Sequence, residues 1–337
     1  MAKKTVMTVL LWSLAAMPAT ASAAAPGDET PPATSAAASG SAPLESVTVT
    51  ASKPSKDAIA SFVASHATAT RMTGKLARWK TGICPLTVGL GVKFASYVTK
   101  RVRDVAASVG APVNKDADCK TNIRIVFTTT PQELLDTIRK DQPAYLGYFD
   151  DRLQSARLAT VTHAIQSWYT TATEDNDGHP EVDSPHPGGV AIEMPNAPPT
   201  GAGGIAAGGQ PTTTMNLPYA TIKSVTGGRL GDGLSSEFFN VIIVAEPAKL
   251  MDFEIGTLAD YIAMLALSQP GNLDSCEALP SITNLLSPGC STIARTITEG
   301  DLAYLRGLYK MSPAGSVGGQ RAEVRYQMEQ ALKPEDH

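Results

Sequence analysis

Asp260 could take part in acid–base chemistry if a second carboxylate lay opposite it, because the two groups could then divide the roles of acid and base. It lies within residues 255–268, whose apolar side chains recur at helical spacing and predict a helix. The sequence shows no second carboxylate at a matching position. The next residue, Tyr261, is either a packing residue or part of the same site. Asp260 is therefore the candidate catalytic residue, and both residues are candidate binding residues.

His163 and Trp168 are the second pair of candidate binding residues. His163 stands just before residues 164–171, whose pattern predicts a strand that carries Trp168. A histidine next to an aromatic residue could line a ligand cleft. A hydrogen-bonded histidine with a purely structural role is the alternative.

The acidic loop that carries His179 and is followed by His186 could hold a divalent metal ion. Residues 175–183 contain four carboxylates, which are suitable ligands for a divalent cation. As a calcium loop it lacks the required acids, because Thr173 occupies the first position and Ser184 the twelfth. We predict a solvated turn there, and neither a metal nor another cofactor.

Residues 1–23 have the features of a secretory signal peptide. Lys3 and Lys4 supply positive charge, residues 6–17 are apolar but too few to span a bilayer as a mature helix, and residues 21–23 form a cleavage site. An uncleaved anchor is the alternative. The sequence predicts a periplasmic or secreted protein with no integral membrane segment after signal cleavage.

Residues 24–57 are rich in Ala, Pro, Ser, Thr and Gly and carry few large apolar side chains. Such a segment cannot bury enough surface to offset the entropy lost on ordering, so we expect a flexible linker. The folded part is predicted to be residues 58–333. Within it, residues 186–217 are rich in Gly and Pro and predict a long insertion outside the core.

Four cysteines in an exported chain predict two disulfides. Three pairings are possible, and we favour the sequential one, Cys84–Cys119 and Cys276–Cys290, which closes two separate loops. A catalytic cysteine is not expected, because a free reactive thiol would oxidise outside the cytoplasm.

Composition restricts the partner. Lys and Arg number 28 and Asp and Glu 32, a formal net charge of −4, and no long basic run occurs. Nucleic acids attract clustered Lys and Arg, so nucleic acid is not an expected partner. With 337 residues, 43% of them hydrophobic, the chain is long enough to bury a core.

Strand and helix patterns alternate through the predicted domain. The strand patterns are residues 76–88, 122–128, 164–171 and 238–244, and the helical patterns are residues 92–109, 131–138, 255–268, 298–309 and 320–332. Gly110 is expected to end the first of these helices, and Thr130 to cap the second. This order predicts a single α/β (α+β) domain with a mixed sheet packed on helices.

The end of the chain resembles secreted zinc metallopeptidases of the zincin type, especially metzincins. A buried strand leads to the helix 255–268, then to a cysteine-closed loop and to residues 298–309, whose sequence TEGDLAYLRGLY is similar to the closing metzincin helix. Residues 258–264 (LADYIAM) also resemble a helix in exported alphaproteobacterial proteins of unknown function. The resemblance implies a zincin-like domain. An unrelated α/β fold with the same order of elements is the alternative.

The zincin motif is His-Glu-x-x-His, in which two histidines on one helix face bind zinc and the glutamate is the general base. The matching residues are 259–263, so Ala259 and Ala263 stand at the ligand positions and Asp260 at the position of the base. Gln269 stands where metzincins have a third histidine. Alanine has no lone pair to offer, so the resemblance implies the fold without the metal.

These observations predict an exported, non-catalytic binding protein of the cell envelope, similar to a peptidase that has lost its metal site. Its expected partner is a peptide, a protein or an envelope component, bound in the cleft beneath the edge strand. Two alternatives remain open. One is an envelope hydrolase that uses Asp260 with other carboxylates or a metal site of another kind, and the other is a purely structural tethered domain.

Overall fold

The structure is a computed structural model that describes residues 54–333, apart from residues 117, 176, 184–189, 196–211 and 218–232. For residues 190–195 and 212–217 it describes the backbone alone. The predicted signal peptide and nearly all of the predicted linker lie outside the described residues. The described residues belong to one compact unit.

A mixed sheet of six strands lies at the centre of the domain. The strands of the chain are β1 (Ala77–Arg78), β2 (Pro85–Val88), β3 (Ile123–Phe127), β4 (Ile165–Glu174), β5 (Pro180–Val182), β6 (Val190–Pro195), β7 (Thr212–Leu217) and β8 (Ser235–Ala245). The sheet order is β2-β3-β8-β4-β5, and β1 pairs with the first part of β8. Strands β1, β2, β3 and β8 are parallel, whereas β4 runs antiparallel to β8 and β5 antiparallel to β4.

Helices cover both faces of this sheet. They are α1 (Lys56–His66), α2 (Val92–Val109), α3 (Pro131–Asp141), α4 (Arg152–Leu158), α5 (Ile255–Leu267), α6 (Glu299–Lys310) and α7 (Val317–Ala331). Val241 and Ile243 of β8 lie in a core shared with α1, α2, α5, α6 and α7, whereas Ile242 and Val244 lie in a smaller core with α3. Alternate residues of a strand point to opposite faces, so the two cores lie on opposite sides of the sheet. The predicted fold class is confirmed.

The first predicted strand, residues 76–88, is two short strands instead. β1 pairs with residues 236–237 of β8, whereas β3 pairs with residues 241–245 on the same side of β8. Because β3 occupies that place, the chain must step outward beyond β3 before it can form β2. The apolar pattern is continuous across this step, so the sequence does not reveal it.

The Gly- and Pro-rich insertion contains regular structure that the sequence did not predict. The backbones of β6 and β7 pair as an antiparallel two-stranded sheet. Most of the residues between these strands lie outside the described part of the chain.

Two disulfides join Cys84 to Cys119 and Cys276 to Cys290, which confirms the sequential pairing. The first attaches the start of β2 to the segment that precedes β3. The second closes a loop between α5 and α6. Such pairs are typical of proteins that fold in oxidising compartments. None of the helices in the described ranges is long and apolar enough to cross a bilayer.

The caps of two helices provide a test of the local structure. Thr298 caps α6 in a capping box, since its hydroxyl accepts from the N–H of Asp301 and the Asp301 carboxylate accepts from the N–H of Thr298. Thr130, the expected cap of α3, makes no side-chain capping bond.

We expect Thr298→Ala to lower the free energy of unfolding by about 1.5 kcal/mol in urea titrations and Thr130→Ala to leave it within about 0.5 kcal/mol. If Thr298→Ala lowers the free energy of unfolding no more than Thr130→Ala does, the capping box does not stabilise α6.

Candidate functional site

The helix that carries Asp260 is buried along nearly its whole length. Ala259 and Ala263 are fully buried in the main core, and Asp260 is 2% exposed. The Asp260 carboxylate accepts one hydrogen bond from Nε of Arg101 on α2 and another from the N–H of Ile297, at 2.9 Å. This carboxylate therefore ties α5 to α2 and to the segment that leads into α6.

Tyr261 is also a core residue, 1% exposed. Burial raises the pKa of its hydroxyl above the usual range, because the charged form would lose its hydration. Asp260, Tyr261 and the two alanines at the zincin ligand positions do not line the cleft described next.

A cleft of about 370 Å³ follows strand β4, within the size range of ligand sites. It is lined by residues 68–71 after α1, residues 146–148 and 157–158 around α4, most of residues 162–171, and residues 269–274 after α5. His163 and Trp168 both line this cleft, so the structure brings these two candidates together. Gln269, at the position of the third metzincin histidine, lines it as well.

The backbone of β4 presents an open edge to this cleft. The C=O of Ala164 accepts from the N–H of Glu246 at 2.9 Å, so Ala164 belongs to a hydrogen-bonded pair of the β4–β8 ladder. Such pairs alternate along an antiparallel ladder, so the backbone groups of residues 165, 167 and 169 point away from β8. β5 pairs only with residues 172–174. No strand in the described structure pairs with the outer side of residues 165–168, and Gly147 lies against the C=O of Tyr169.

Side chains on both faces hold β4 firmly in place. Trp168 donates from Nε1 to the C=O of Leu158 at 2.6 Å, which attaches β4 to the end of α4. On the other face, the Tyr169 hydroxyl donates to the C=O of Leu265 in α5 at 2.9 Å and accepts from the Ser167 hydroxyl at 2.7 Å. The open edge is therefore a rigid one.

Two polar bridges connect segments that line the cleft. Nη1 of Arg71 donates to Oε1 of Gln154 at 2.7 Å and lies 3.7 Å from the carboxylate of Asp150. Nε2 of His163 lies 2.9 Å from Oδ1 of Asp274. The first bridge connects the segment after α1 with α4, and the second connects the start of β4 with the loop after α5.

Two of the four carboxylates of the acidic loop, those of Asp175 and Asp183, are occupied by local hydrogen bonds. Asp175 accepts from the N–H groups of Asp177 and His179, and the second of these bonds is the main reason that the pKa of Asp175 is lowered. Asp183 is buried and accepts from the hydroxyls of Thr171 and Thr173. His186 lies outside the described residues. Within the described ranges, no group of three or more His, Cys, Asp or Glu is arranged to hold a metal ion.

Sequence reasoning placed Arg157 near His163 and Trp168 without giving it a role of its own, and it missed Arg71 and most of the segment 269–274. Residues 269–272 (QPGN) after α5 are ordinary turn residues, and the two arginines lie outside any motif. Their common role depends on contacts between distant parts of the chain, which spacing does not encode. Comparison with protein-family models, curated proteins and solved structures found no match, so the case for a function depends on the geometry described above.

Proposed function

We propose that this chain is an exported, non-catalytic binding protein of the cell envelope whose zincin-like domain holds an extended peptide segment against β4. The observation that carries the proposal is the open edge at residues 165–168 inside a cleft of ligand size. An extended peptide can add to such an edge as a further strand, with main-chain hydrogen bonds supplying affinity and side-chain contacts supplying specificity. Four residues of edge offer about 13 Å of pairing length.

The opposite edge of the sheet is blunted, and this contrast supports the choice of β4. The C=O of Cys84 accepts from the N–H of Asn122, so residues 84, 86 and 88 face β3, and residues 85 and 87 face outward. Residue 85 is proline and has no N–H to donate. Short edge strands that contain proline are a common protection against unwanted pairing. β4 has no proline in its open part, which fits an edge that is meant to be paired.

The non-catalytic part of the proposal rests on the chemistry of α5. Ala259 and Ala263 offer no lone pair at the two zincin ligand positions. The carboxylate of Asp260 is engaged by Arg101 and Ile297, away from the cleft. No observation favours the hydrolase alternative. The zincin-like part is supported by the order in which an antiparallel edge strand, β4, is followed by β8 and then by α5.

Ser167→Pro is the variant that tests strand addition. It removes the outward N–H at the centre of the open edge while leaving the bonds of β4 to β8 in place. We expect peptide affinity to fall at least tenfold. The probe is a pool of random octapeptides with acetylated and amidated ends, from which captured peptides are identified by mass spectrometry, resynthesised with fluorescein and titrated by anisotropy.

Ser167→Ala is the matched control, because it removes the same hydroxyl and keeps the backbone N–H. It should bind the captured peptides with nearly wild-type affinity, and circular dichroism should show that both variants fold. If Ser167→Pro binds as tightly as wild type, the peptide does not pair with β4. If the wild-type protein captures no peptide, the proposed function is wrong.

A further inference from the structure

We infer that the cleft recognises a carboxylate on its peptide through Arg157, so that the preferred ligands are acidic extended peptides. This inference rests on the proposed function and names its ligand class. Arg157 is next to Leu158 in α4, and the C=O of Leu158 accepts the hydrogen bond from Nε1 of Trp168. Trp168 lies in the middle of the open edge, so Arg157 stands beside the place where a paired peptide would lie.

Arg157 has no partner among the other described residues. Its side chain is exposed in the cleft lining and makes no hydrogen bond or ion pair within the described structure. The other charged groups of the lining already have partners. Asp274 is paired with His163, and Arg71 is held by Gln154 and Asp150. On the side of the cleft formed by α4 and residues 68–71, the unmatched charge is therefore positive.

The guanidinium of Arg71 adds a second positive charge on the side of the cleft that holds Arg157. Arg71 bonds to Gln154, which precedes Arg157 by three residues on α4 and therefore lies on the same helix face. Two arginines thus belong to one wall of the cleft, and the carboxylate of Asp150 balances only one of them. A guanidinium forms its strongest pairs with carboxylates, because two parallel N–H donors match two oxygens.

A carboxylate on a peptide has two sources, an acidic side chain or the free C-terminus, and two peptide pools separate them. The first pool contains octapeptides with acetylated and amidated ends, so Asp and Glu are its only acids. The second has free C-termini and no Asp or Glu. If the carboxylate belongs to a side chain, wild type should capture peptides from the first pool in which Asp or Glu occur at no less than five times their input frequency. If it is the C-terminus, wild type should capture the second pool in preference to the amidated form of the same peptides.

Arg157→Gln should abolish this preference while capture of neutral peptides continues. Arg325→Gln, which removes an exposed arginine on α7, is the control and should retain the preference. Peptides captured with no preference for acids, or a preference unchanged by Arg157→Gln, would overturn the inference and leave the proposed function standing. Failure to capture any peptide would overturn both.

Discussion

Asp260→Ala is expected to lower the free energy of unfolding by about 3 kcal/mol, measured by urea denaturation at pH 7. The variant leaves Nε of Arg101 and the N–H of Ile297 without their acceptor and opens a small cavity in the core. Removing one partner of a buried ion pair costs about 3 to 5 kcal/mol. We place this case at the lower limit because the Arg101 side chain is 35% exposed and can be rehydrated. The same pair raises the pKa of Arg101 above its ordinary value.

The control for this variant is a second ion pair of α2. Nζ of Lys100 lies 2.6 Å from Oδ2 of Asp104, and the side chains of these two residues are 74% and 47% exposed. Asp104→Ala should change stability by about 0.5 kcal/mol or less, since exposed pairs contribute little. If Asp260→Ala proves as stable as wild type, the carboxylate does not join α2, α5 and the segment before α6. The hypothesis that Asp260 is free for acid–base chemistry would then return.

The structural role of Asp260 shows which part of the site the sequence could not predict. The helix 255–268 is predictable, because its apolar residues are regularly spaced and no glycine or proline interrupts them after residue 256. Which of its faces meets a cleft is not predictable, because nearly every residue from 257 to 267 is apolar or small. In the structure all of these residues are buried. The single carboxylate therefore looked like a candidate for chemistry, whereas its partner is an arginine 159 positions away in sequence.

Elements with strong local signals could be predicted, and elements that depend on distant contacts could not. α2 begins at Val92 and ends at Val109 as expected, because its buried residues recur at helical spacing and Gly110 follows with φ of +82°. α4 has seven residues and a single buried one, so it leaves almost no pattern. Its place in the cleft depends on Arg71, more than 80 residues earlier. Only the tertiary structure brings these segments to one wall.

A buried histidine at the end of α1 makes the stability of the domain depend on pH. His66 ends α1, is 1% exposed, and stacks on the ring of Phe62 with centroids 4.0 Å apart. Its Nδ1 lies 3.0 Å from the C=O of Phe62, so this nitrogen is the donor, and Nε2 accepts from the hydroxyl of Thr283 at 3.1 Å. Burial lowers the pKa of His66 from 6.5 to about 4, because the charged ring would lose its hydration. His66 is therefore neutral in the folded protein at pH 7.

The unfolded chain takes up a proton on His66 at a higher pH than the folded protein does, so the free energy of unfolding depends on pH. Below pH 6.5 the unfolded chain protonates His66 while the folded protein does not, so stability that is present above pH 6.5 is lost as the pH falls towards 4. The loss is about 3 kcal/mol, at about 1.4 kcal/mol for each unit between the two pKa values. Two neighbouring acids act in the opposite direction. Burial raises the pKa of Glu277, 3.7 Å from the ring, and of Asp301, so the folded protein takes up their protons first as the pH falls.

A comparison of wild type with His66→Gln isolates the histidine from these acids, because the acids are present in both proteins. At pH 7 the variant should be less stable, since it loses the stacked ring and part of the hydrogen bonding. As the pH is lowered to 4, wild type should lose about 3 kcal/mol more than the variant, as measured by urea denaturation at each pH. If the difference in free energy of unfolding between wild type and His66→Gln does not narrow between pH 7 and pH 4, His66 is protonated in the folded protein, with the Glu277 carboxylate as its counter-ion.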